Sequence, residues 1–278
     1  MITCKIPGKL FIAGEYAVTN PGNTAILVAV DRFITISLEK SEGSGSITVD
    51  NRTIPWIREN DKILLEKRYN RLRYVLAAIN IVEEYAKELD QRLDFYHLKV
   101  ESDLENKRGK KYGLGSSAAI VVGIVEVLCQ FYKLEVNKEK VFKLSVLANL
   151  SLNKSGSCGD IAACIYGGWI AYTSFDRKWV LNNVSSFSIS QLINNQWPFL
   201  NVQPLIPPND LALVIAWTGR PASTINLVRK VKREKYNNMG IYKDFLNKSQ
   251  RCVNQIIHAF ENKDLEESKL DKTQTQQD

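Results

Sequence analysis

A glycine- and serine-rich segment that runs directly into a long apolar stretch is the feature that most restricts how this chain folds. The segment consists of Lys111, Tyr112, Gly113, Leu114, Gly115, Ser116, Ser117, Ala118 and Ala119. The apolar stretch, residues 120–134, is typical of a helix. Small residues let the backbone curl tightly, and a helix start presents free N–H groups and a favourable dipole to an anion. The pattern therefore predicts either a phosphate-binding loop or an ordinary cap and tight turn.

The composition narrows the class of protein. The chain has 278 residues, of which 45% are hydrophobic and 24% charged, as in an ordinary globular protein with a sizeable core. The net charge of +7 favours anionic ligands, but the basic residues are spread along the chain and form no block interleaved with aromatics. Nucleic-acid binding is therefore not predicted. A Walker-type nucleotide site is excluded, because no G-x-x-x-x-G-K-[ST] sequence occurs.

The cysteines and histidines argue against several kinds of site. The five cysteines are scattered and form no C-x-x-C pair, so neither a zinc site nor a disulfide framework is predicted. The two histidines, His97 and His258, have no partner at the spacing of a catalytic triad. The N-terminus has no signal-peptide pattern, and no apolar run reaches the roughly 18 residues that span a bilayer. We therefore expect a cytoplasmic protein without a membrane partner.

The spacing of apolar residues predicts the main helices and strands, and a proline-rich segment divides them. Apolar spacing of three and four residues predicts a helix over 69–89, and further helices are predicted over 139–152, 160–166, 223–234 and 242–262. Strands are predicted over 24–30, 32–38, 169–175 and, as a buried strand, 211–217. The proline-rich segment 196–209 is the best candidate for a domain boundary.

Two further segments accompany the glycine-rich loop. They are Lys5-Ile-Pro-Gly-Lys-Leu-Phe-Ile-Ala-Gly-Glu-Tyr16 and Ser155-Gly-Ser-Cys-Gly-Asp160. Together the three resemble the motifs of the GHMP kinases: P-G-K-x-x-x-x-G-E the first, G-L-G-S-S-A-A the second and G-x-x-G-D the catalytic-aspartate segment. Residues 14–18, 158–162 and 216–223 are similar, within that superfamily, to the phosphomevalonate kinases. The resemblance covers nearly the whole chain.

The resemblance implies a fold and an activity. The expected fold is a two-layer α/β arrangement of the α+β class. A ribosomal-protein-S5-domain-2-like domain would occupy residues 1–205, and a partial ferredoxin-like domain residues 206–278. The expected reaction is ATP-dependent phosphorylation of (R)-5-phosphomevalonate, with ATP and Mg²⁺ as cofactors and a monomer or homodimer as the assembly. The alternatives are a kinase for mevalonate or a sugar, or a catalytically silent ligand sensor of the same fold.

The resemblance also implies roles for individual residues. Lys9 and Asp160 match the catalytic lysine and aspartate, residues 111–119 match the nucleotide loop, and Ser117 matches a magnesium-contacting serine. Residues expected on the substrate side are Lys9, Glu15, Tyr16, Ser157, Thr218, Arg220 and Ser223. Alternative interpretations stay open, since Lys9 could be a solvated surface lysine and Asp160 a helix N-cap.

The C-terminal part departs from the family pattern. GHMP kinases carry a third, glycine-rich motif near the C-terminus, whereas no glycine follows Gly240 in this chain. One strand and two helices are also too few for the family's four-stranded C-terminal sheet. We therefore expect an incomplete second domain and little activity from these 278 residues alone.

Overall fold

The computed structural model describes residues 1–65, 72–105, 111–153, 155–217, 219 and 238–262. The strands are β1 Ile2–Ala13, β2 Thr24–Ser41, β3 Gly45–Val49, β4 Arg52–Glu59, β5 Lys62–Leu65, β6 Phe95–Ser102, β7 Trp169–Thr173 and β8 Asn201–Leu205. The helices are α1 Arg73–Glu88, α2 Ser116–Phe131, α3 Lys138–Leu152, α4 Gly159–Tyr166, α5 Arg177–Asn183, α6 Ile189–Asn194 and α7 Met239–Asn262. A short 3₁₀ helix spans Ala17–Thr19.

The chain folds into two compact units that alternate along the sequence. The first comprises Met1–Gly8, Val30–Ser155 and Lys178–Gln196, and the second comprises Lys9–Ala29, Gly156–Arg177 and the described part of Trp197–Asp278. Strands β1 and β2 each contribute residues to both units. The sequence analysis instead predicts one boundary between residues 205 and 206, and that division stays a prediction.

The first unit holds a mixed sheet. Its strand order is β5-β4-β3-β6-β2, and every pair is antiparallel except β3–β6, which is parallel. Helices α1, α2 and α3 pack against one another, and α6 packs against α1 and α3. The apolar positions that predict the first helix, among them Val75, Ile79 and Val82, are buried. The predicted helix is therefore confirmed from residue 73 onward, while residues 66–71 lie outside the described part.

A buried ion pair ties α1 to β4 within this unit. The Arg58 guanidinium donates to both carboxylate oxygens of Glu83, at 2.9 and 2.7 Å. The hydroxyls of Tyr96 and Tyr132 also donate to Glu83 Oε1, each at 3.0 Å. The side chains of Arg58 and Glu83 are only 8% and 5% exposed. Because four hydrogen bonds converge on the carboxylate, they offset part of the cost of burying its charge.

The second unit is built on the first half of β2. Residues Thr24–Val28 of this strand pair antiparallel with β7, and β7 pairs antiparallel with β8. Helix α7 covers the sheet with an apolar stripe repeated every three or four residues. The buried residues of this contact are Ile26, Ala171, Leu205, Val253, Ile256 and Phe260.

Most of the helices and strands predicted from the sequence are confirmed, but one predicted strand is wrong. Residues 211–217 form no strand, and 212–217 are exposed, with Val214 at 89%. A strand needs a neighbour to complete its backbone hydrogen bonds, and no strand of the described part pairs with this segment. The predicted helix 223–234 lies outside the described residues. Within the described ranges, no helix is both long and apolar enough to cross a membrane.

Candidate functional site

The glycine-rich loop ends in the N-terminus of α2. Gly113 and Gly115 have φ values of +88° and +82°, which L-residues rarely adopt, so glycine at these positions lets the loop turn sharply. Gly115 is the N-cap of α2, and no side chain caps this helix end. The N–H groups of residues 116–118 have no hydrogen-bond partner within the described ranges. The geometry therefore leaves several donors at the positive end of a buried helix, as an anion site requires.

Contacts at the base of the loop hold it in place. The Tyr112 N–H donates to the Leu104 carbonyl at 3.2 Å, and Lys111 forms an isolated β-bridge with Glu105. The Lys111 and Glu105 side chains also form an exposed ion pair at 3.9 Å. On the other side, a Cβ on Gly8 would lie 3.0 Å from the Leu114 carbonyl oxygen, so β1 lies directly against the loop. Of the loop serines, Ser116 is buried and Ser117 is half-buried.

Lys9 follows Gly8 on β1 and belongs to the second unit. Its side chain is half-buried, and Nζ lies 5.3 Å from the centroid of the Phe11 ring. The ammonium has no carboxylate partner among the described residues. A half-buried cation without an acidic partner is poised to meet an anionic ligand, in contrast to the solvated surface lysine that the sequence alone leaves open.

The aspartate segment forms a tight turn into α4. The helix begins at Gly159, and its N-cap is Cys158, which has a left-handed backbone at φ +61°. Asp160 therefore lies inside the first helical turn and is not the N-cap. Its Oδ1 accepts a hydrogen bond from the N–H of Ile161 at 3.1 Å, and the side chain is half-buried. The side chain thus lies near the positive end of the α4 dipole.

Lys9 and Asp160 lie on elements that both adjoin β2 within the second unit. Strand β1 pairs with β2, and the side chain of Leu27 on β2 lies beside Gly159 at the start of α4. The structure thus brings the two predicted catalytic residues into one compact unit, although their segments lie about 150 positions apart in the sequence.

The predicted substrate-side residues fall into three places. Glu15 is exposed and Tyr16 is half-buried in a turn where the Ala17 N–H donates to the Glu15 carbonyl at 2.7 Å. Tyr16 has φ +63°, and a strained backbone at an aromatic residue is typical of functional sites. Ser157 lies in the turn before Asp160, with its Oγ accepting from the Gly159 N–H at 3.3 Å. The predicted residues Thr218, Arg220 and Ser223 lie outside the described part of the chain.

The structure adds two residues that sequence reasoning missed. The Tyr172 hydroxyl on β7 donates to the Ser157 carbonyl at 2.5 Å, and the Arg177 guanidinium at the start of α5 donates to the Gly156 carbonyl. Both partners are backbone atoms, which leave no signal in the sequence. Tyr172 lies within an apolar strand pattern, and that pattern predicts only burial.

Comparisons with known proteins agree with this geometry. The sequence profile of the GHMP kinases N terminal domain matches residues 73–168. Phosphomevalonate kinase of Streptomyces sp. (strain CL190) is 34% identical over 271 residues, which cover 93% of this chain and 72% of that protein. The crystal structure of the Lin0012 protein from Listeria innocua has a TM-score of 0.88 at 37% identity, with 97% of this chain and 75% of that chain covered.

A ligand-bound structure supports the fold as well. Streptococcus pneumoniae phosphomevalonate kinase in complex with phosphomevalonate and AMPPNP has a TM-score of 0.79 at 24% identity. The match covers 98% of this chain and 79% of that chain. The expected mixed α/β kinase fold is confirmed. With the glycine-rich loop, the lysine strand and the aspartate turn in place, the chain belongs to the phosphomevalonate kinase family of the GHMP kinases.

Proposed function

We propose that the protein transfers the γ-phosphoryl group of ATP to the phosphate of (R)-5-phosphomevalonate, giving ADP and 5-diphosphomevalonate. The observation that carries this proposal is the 34% identity to the Streptomyces phosphomevalonate kinase over 93% of this chain. The retained loop, lysine and aspartate support it, because phosphoryl transfer depends mainly on positioning the phosphates and neutralising their charge.

ATP binds, in this proposal, with its phosphates on residues 111–119. The uncapped N–H groups at the start of α2 supply hydrogen-bond donors, and the helix dipole favours the negative charge. The open space around Gly113, where a Cβ would meet nothing within 4 Å, lets a phosphate approach the backbone closely.

Mg²⁺ is compatible with this loop. Among the described residues, no group of three or more His, Cys, Asp or Glu side chains could hold a metal ion. Mg²⁺ commonly takes only one or two protein ligands and completes its shell with waters and phosphate oxygens. The half-buried Ser117 hydroxyl is the protein ligand that we assign, and the bound ion would neutralise charge on the nucleotide phosphates.

Lys9 and Asp160 act on the transferring group. The Lys9 ammonium has no acidic partner in the described part of the chain, so it is available to neutralise charge on the acceptor phosphate and the γ-phosphoryl group. A phosphate monoester has a second pKa near 6, so at neutral pH the attacking oxygen carries little proton for a base to remove. Proton acceptance is therefore a secondary role for Asp160. We assign the carboxylate chiefly to orienting Lys9 once the ligands are bound, since these two described side chains form no ion pair in the structure.

The acceptor lies beside the turn that holds Glu15 and Tyr16 and beside Ser157. We also retain Thr218, Arg220 and Ser223 as candidates for binding the substrate's phosphate or carboxylate. A phosphate acceptor requires more cationic or N–H groups than mevalonate does, and Lys9 and the Ser157 turn are the described groups that fit this requirement.

A coupled ADP-release assay tests the proposal. The substrates are phosphomevalonate, mevalonate, homoserine and galactose, and the assay is run on this chain and on one extended to the length of the Streptomyces relative. We expect kcat/KM for phosphomevalonate to exceed that for mevalonate by about 10²-fold or more, because unpaired polar groups penalise the smaller substrate. A preference for mevalonate would assign a different kinase. In the extended chain, ATP binding without turnover of any substrate would instead identify a ligand sensor.

A further inference from the structure

Two consecutive backbone carbonyls in the segment before Asp160 are each held by a long side chain from elsewhere in the second unit. The Tyr172 hydroxyl donates to the Ser157 carbonyl, and the Arg177 guanidinium donates to the Gly156 carbonyl. Tyr172 and Arg177 flank the end of β7 and the start of α5, five positions apart in the sequence. Their hydrogen bonds converge on the short segment that leads into α4.

The segment has a backbone that needs such support. Cys158 has φ +61° with a side chain present, and Gly156 has φ +118°. A left-handed conformation at a residue other than glycine costs free energy and persists only where the surroundings hold it. Cys158 is also buried, so the strained residue packs inside the unit and is shielded from water. Asp160 follows this strained residue by two positions, so a shift of the segment displaces its carboxylate.

Tyr172 supports the segment with both its ring and its hydroxyl. The side chain is fully buried, and a Cβ on Gly159 would lie 3.1 Å from ring atom Cδ1, so the ring lies directly under the start of α4. Burial raises the pKa of the Tyr172 phenol well above its usual value, with smaller contributions from the Cys158 thiol and the Asp160 carboxylate. The phenol therefore stays protonated and remains a hydrogen-bond donor at any physiological pH.

The Arg177 side chain binds the Gly156 carbonyl, although another of its nitrogen atoms is left in an unfavourable position. Its Nε atom is buried and lacks a hydrogen-bond partner among the described residues. An unsatisfied buried donor is unfavourable, and an apolar side chain of similar length at this position would avoid it. The compensating feature of the arginine is the hydrogen bond that its long, rigid guanidinium makes to Gly156.

We propose that Tyr172 and Arg177 are positioning residues that clamp the Gly156 and Ser157 carbonyls and thereby fix the Asp160 carboxylate for phosphoryl transfer. The inference rests on the proposed function for its catalytic consequence. Neither side chain touches the reacting groups in this proposal. Each acts through the backbone that carries Asp160.

Amide hydrogen exchange tests the clamp without requiring turnover. In the 278-residue chain, Tyr172→Phe keeps the ring and removes only the hydroxyl, so exchange should accelerate about tenfold in peptides covering 155–161. Tyr132→Phe is the matched control, because it removes another buried tyrosine hydroxyl that donates at 3.0 Å, to Glu83 in the first unit. The control should leave exchange at 155–161 unchanged. Arg177→Met should accelerate exchange there too, and Arg177→Lys, which keeps one donor, should restore much of the protection.

A double-mutant cycle in kcat, measured in the extended chain, tests the catalytic consequence. Tyr172→Phe should lower kcat about tenfold with little change in KM, the loss expected for one positioning hydrogen bond. In an Asp160→Asn background, Tyr172→Phe should lower kcat no further, because the carboxylate that Tyr172 positions is already absent. Equal losses in both backgrounds would show a general structural role and overturn the positioning proposal.

Different results would overturn the clamp and the proposed function, so the two proposals are tested independently. Unchanged exchange at 155–161 in both Tyr172→Phe and Arg177→Met would overturn the clamp, whatever the activity. An extended wild-type chain that phosphorylates no phosphomevalonate would overturn the proposed function, and only the exchange data would then test the clamp.

Discussion

Replacing Gly113 by alanine separates the nucleotide loop from an ordinary turn, because the chain provides a matched control at Gly43. The φ values are +88° at Gly113 and +75° at Gly43, and an added Cβ meets nothing within 4 Å at either position. Each substitution therefore introduces backbone strain without a clash. Gly113 lies in the predicted phosphate loop, whereas Gly43 lies in the connection between β2 and β3.

The size of the effect follows from the backbone. An L-residue in the left-handed region costs about 1–2 kcal/mol, so each variant loses up to that much stability if its backbone keeps this conformation. If the Gly113→Ala loop instead relaxes to negative φ in the free protein, the same free energy opposes ATP binding, which restores the left-handed backbone. We therefore expect the Kd for ATP to rise about 5- to 30-fold in Gly113→Ala, since every 1.4 kcal/mol is a factor of about ten. Gly43→Ala should bind ATP with wild-type affinity.

Calorimetric titration with a non-hydrolysable ATP analogue measures the affinity, and thermal unfolding measures the stability. At roughly 2–4 °C per kcal/mol for a chain of this size, Gly43→Ala should lower Tm by about 2–8 °C, and Gly113→Ala should lower it less to the extent that its loop relaxes. The reasoning would be refuted if Gly113→Ala kept the wild-type Tm and also bound the analogue as tightly as Gly43→Ala. That result would place the nucleotide phosphates away from this loop.

Three further perturbations address the loop, the chemistry and the core. Ser117→Ala should weaken Mg-ATP turnover about tenfold through loss of one polar contact, and Ser117→Asp should nearly abolish ATP binding in titrations by repelling phosphate. Asp160→Asn, assayed in an extended chain, should lower kcat by about 10²-fold or more with little change in KM. Glu83→Ala should lower the free energy of unfolding by about 3–5 kcal/mol in urea titrations, because it leaves the buried Arg58 charge unpaired. Glu83→Gln, which retains an acceptor and the shape, should cost less.

Each of these expectations has a contrary outcome. Unchanged ATP affinity in Ser117→Asp would point to a nucleotide site elsewhere in the chain. A small kcat effect in Asp160→Asn would leave Lys9 and substrate positioning as the main catalytic contributions. Equal destabilisation by Glu83→Gln and Glu83→Ala would show that the contribution of Glu83 comes from its charge, and that its packing and its neutral acceptor add little.

Local patterns in the sequence are sufficient to determine several parts of this protein. The spacing of Val75, Ile79 and Val82 predicts α1, because a helix must turn its apolar positions to one side to bury them. The glycines at 113 and 115 and the apolar stretch after them predict a sharp turn into a buried helix, since the backbone conformation there depends on the residues themselves. The motifs around Lys9 and Asp160 likewise consist of neighbouring residues, which is why they indicate the kinase family before any contact is known.

Pairing between distant segments was decided only by the tertiary structure. The sequence predicts two strands over 24–30 and 32–38, whereas β2 is continuous from Thr24 to Ser41. Its first half pairs with β7 and its second half with β6, and these neighbours stabilise the strand across the exposed Asp31 and Arg32. The opposite holds for residues 211–217, where the sequence predicts a strand and the structure has none. An apolar run does not become a strand without a partner for its backbone hydrogen bonds.

The groups that hold the aspartate segment are also a product of tertiary structure. Tyr172 and Arg177 bind backbone carbonyls at Ser157 and Gly156, so neither side chain has a complementary residue type that a sequence pattern could reveal. Backbone acceptors are present at every position, and only the folded chain selects which two lie within reach. For this reason the sequence alone identifies Asp160 as a candidate catalytic residue, while the folded structure shows which side chains bind the segment before it.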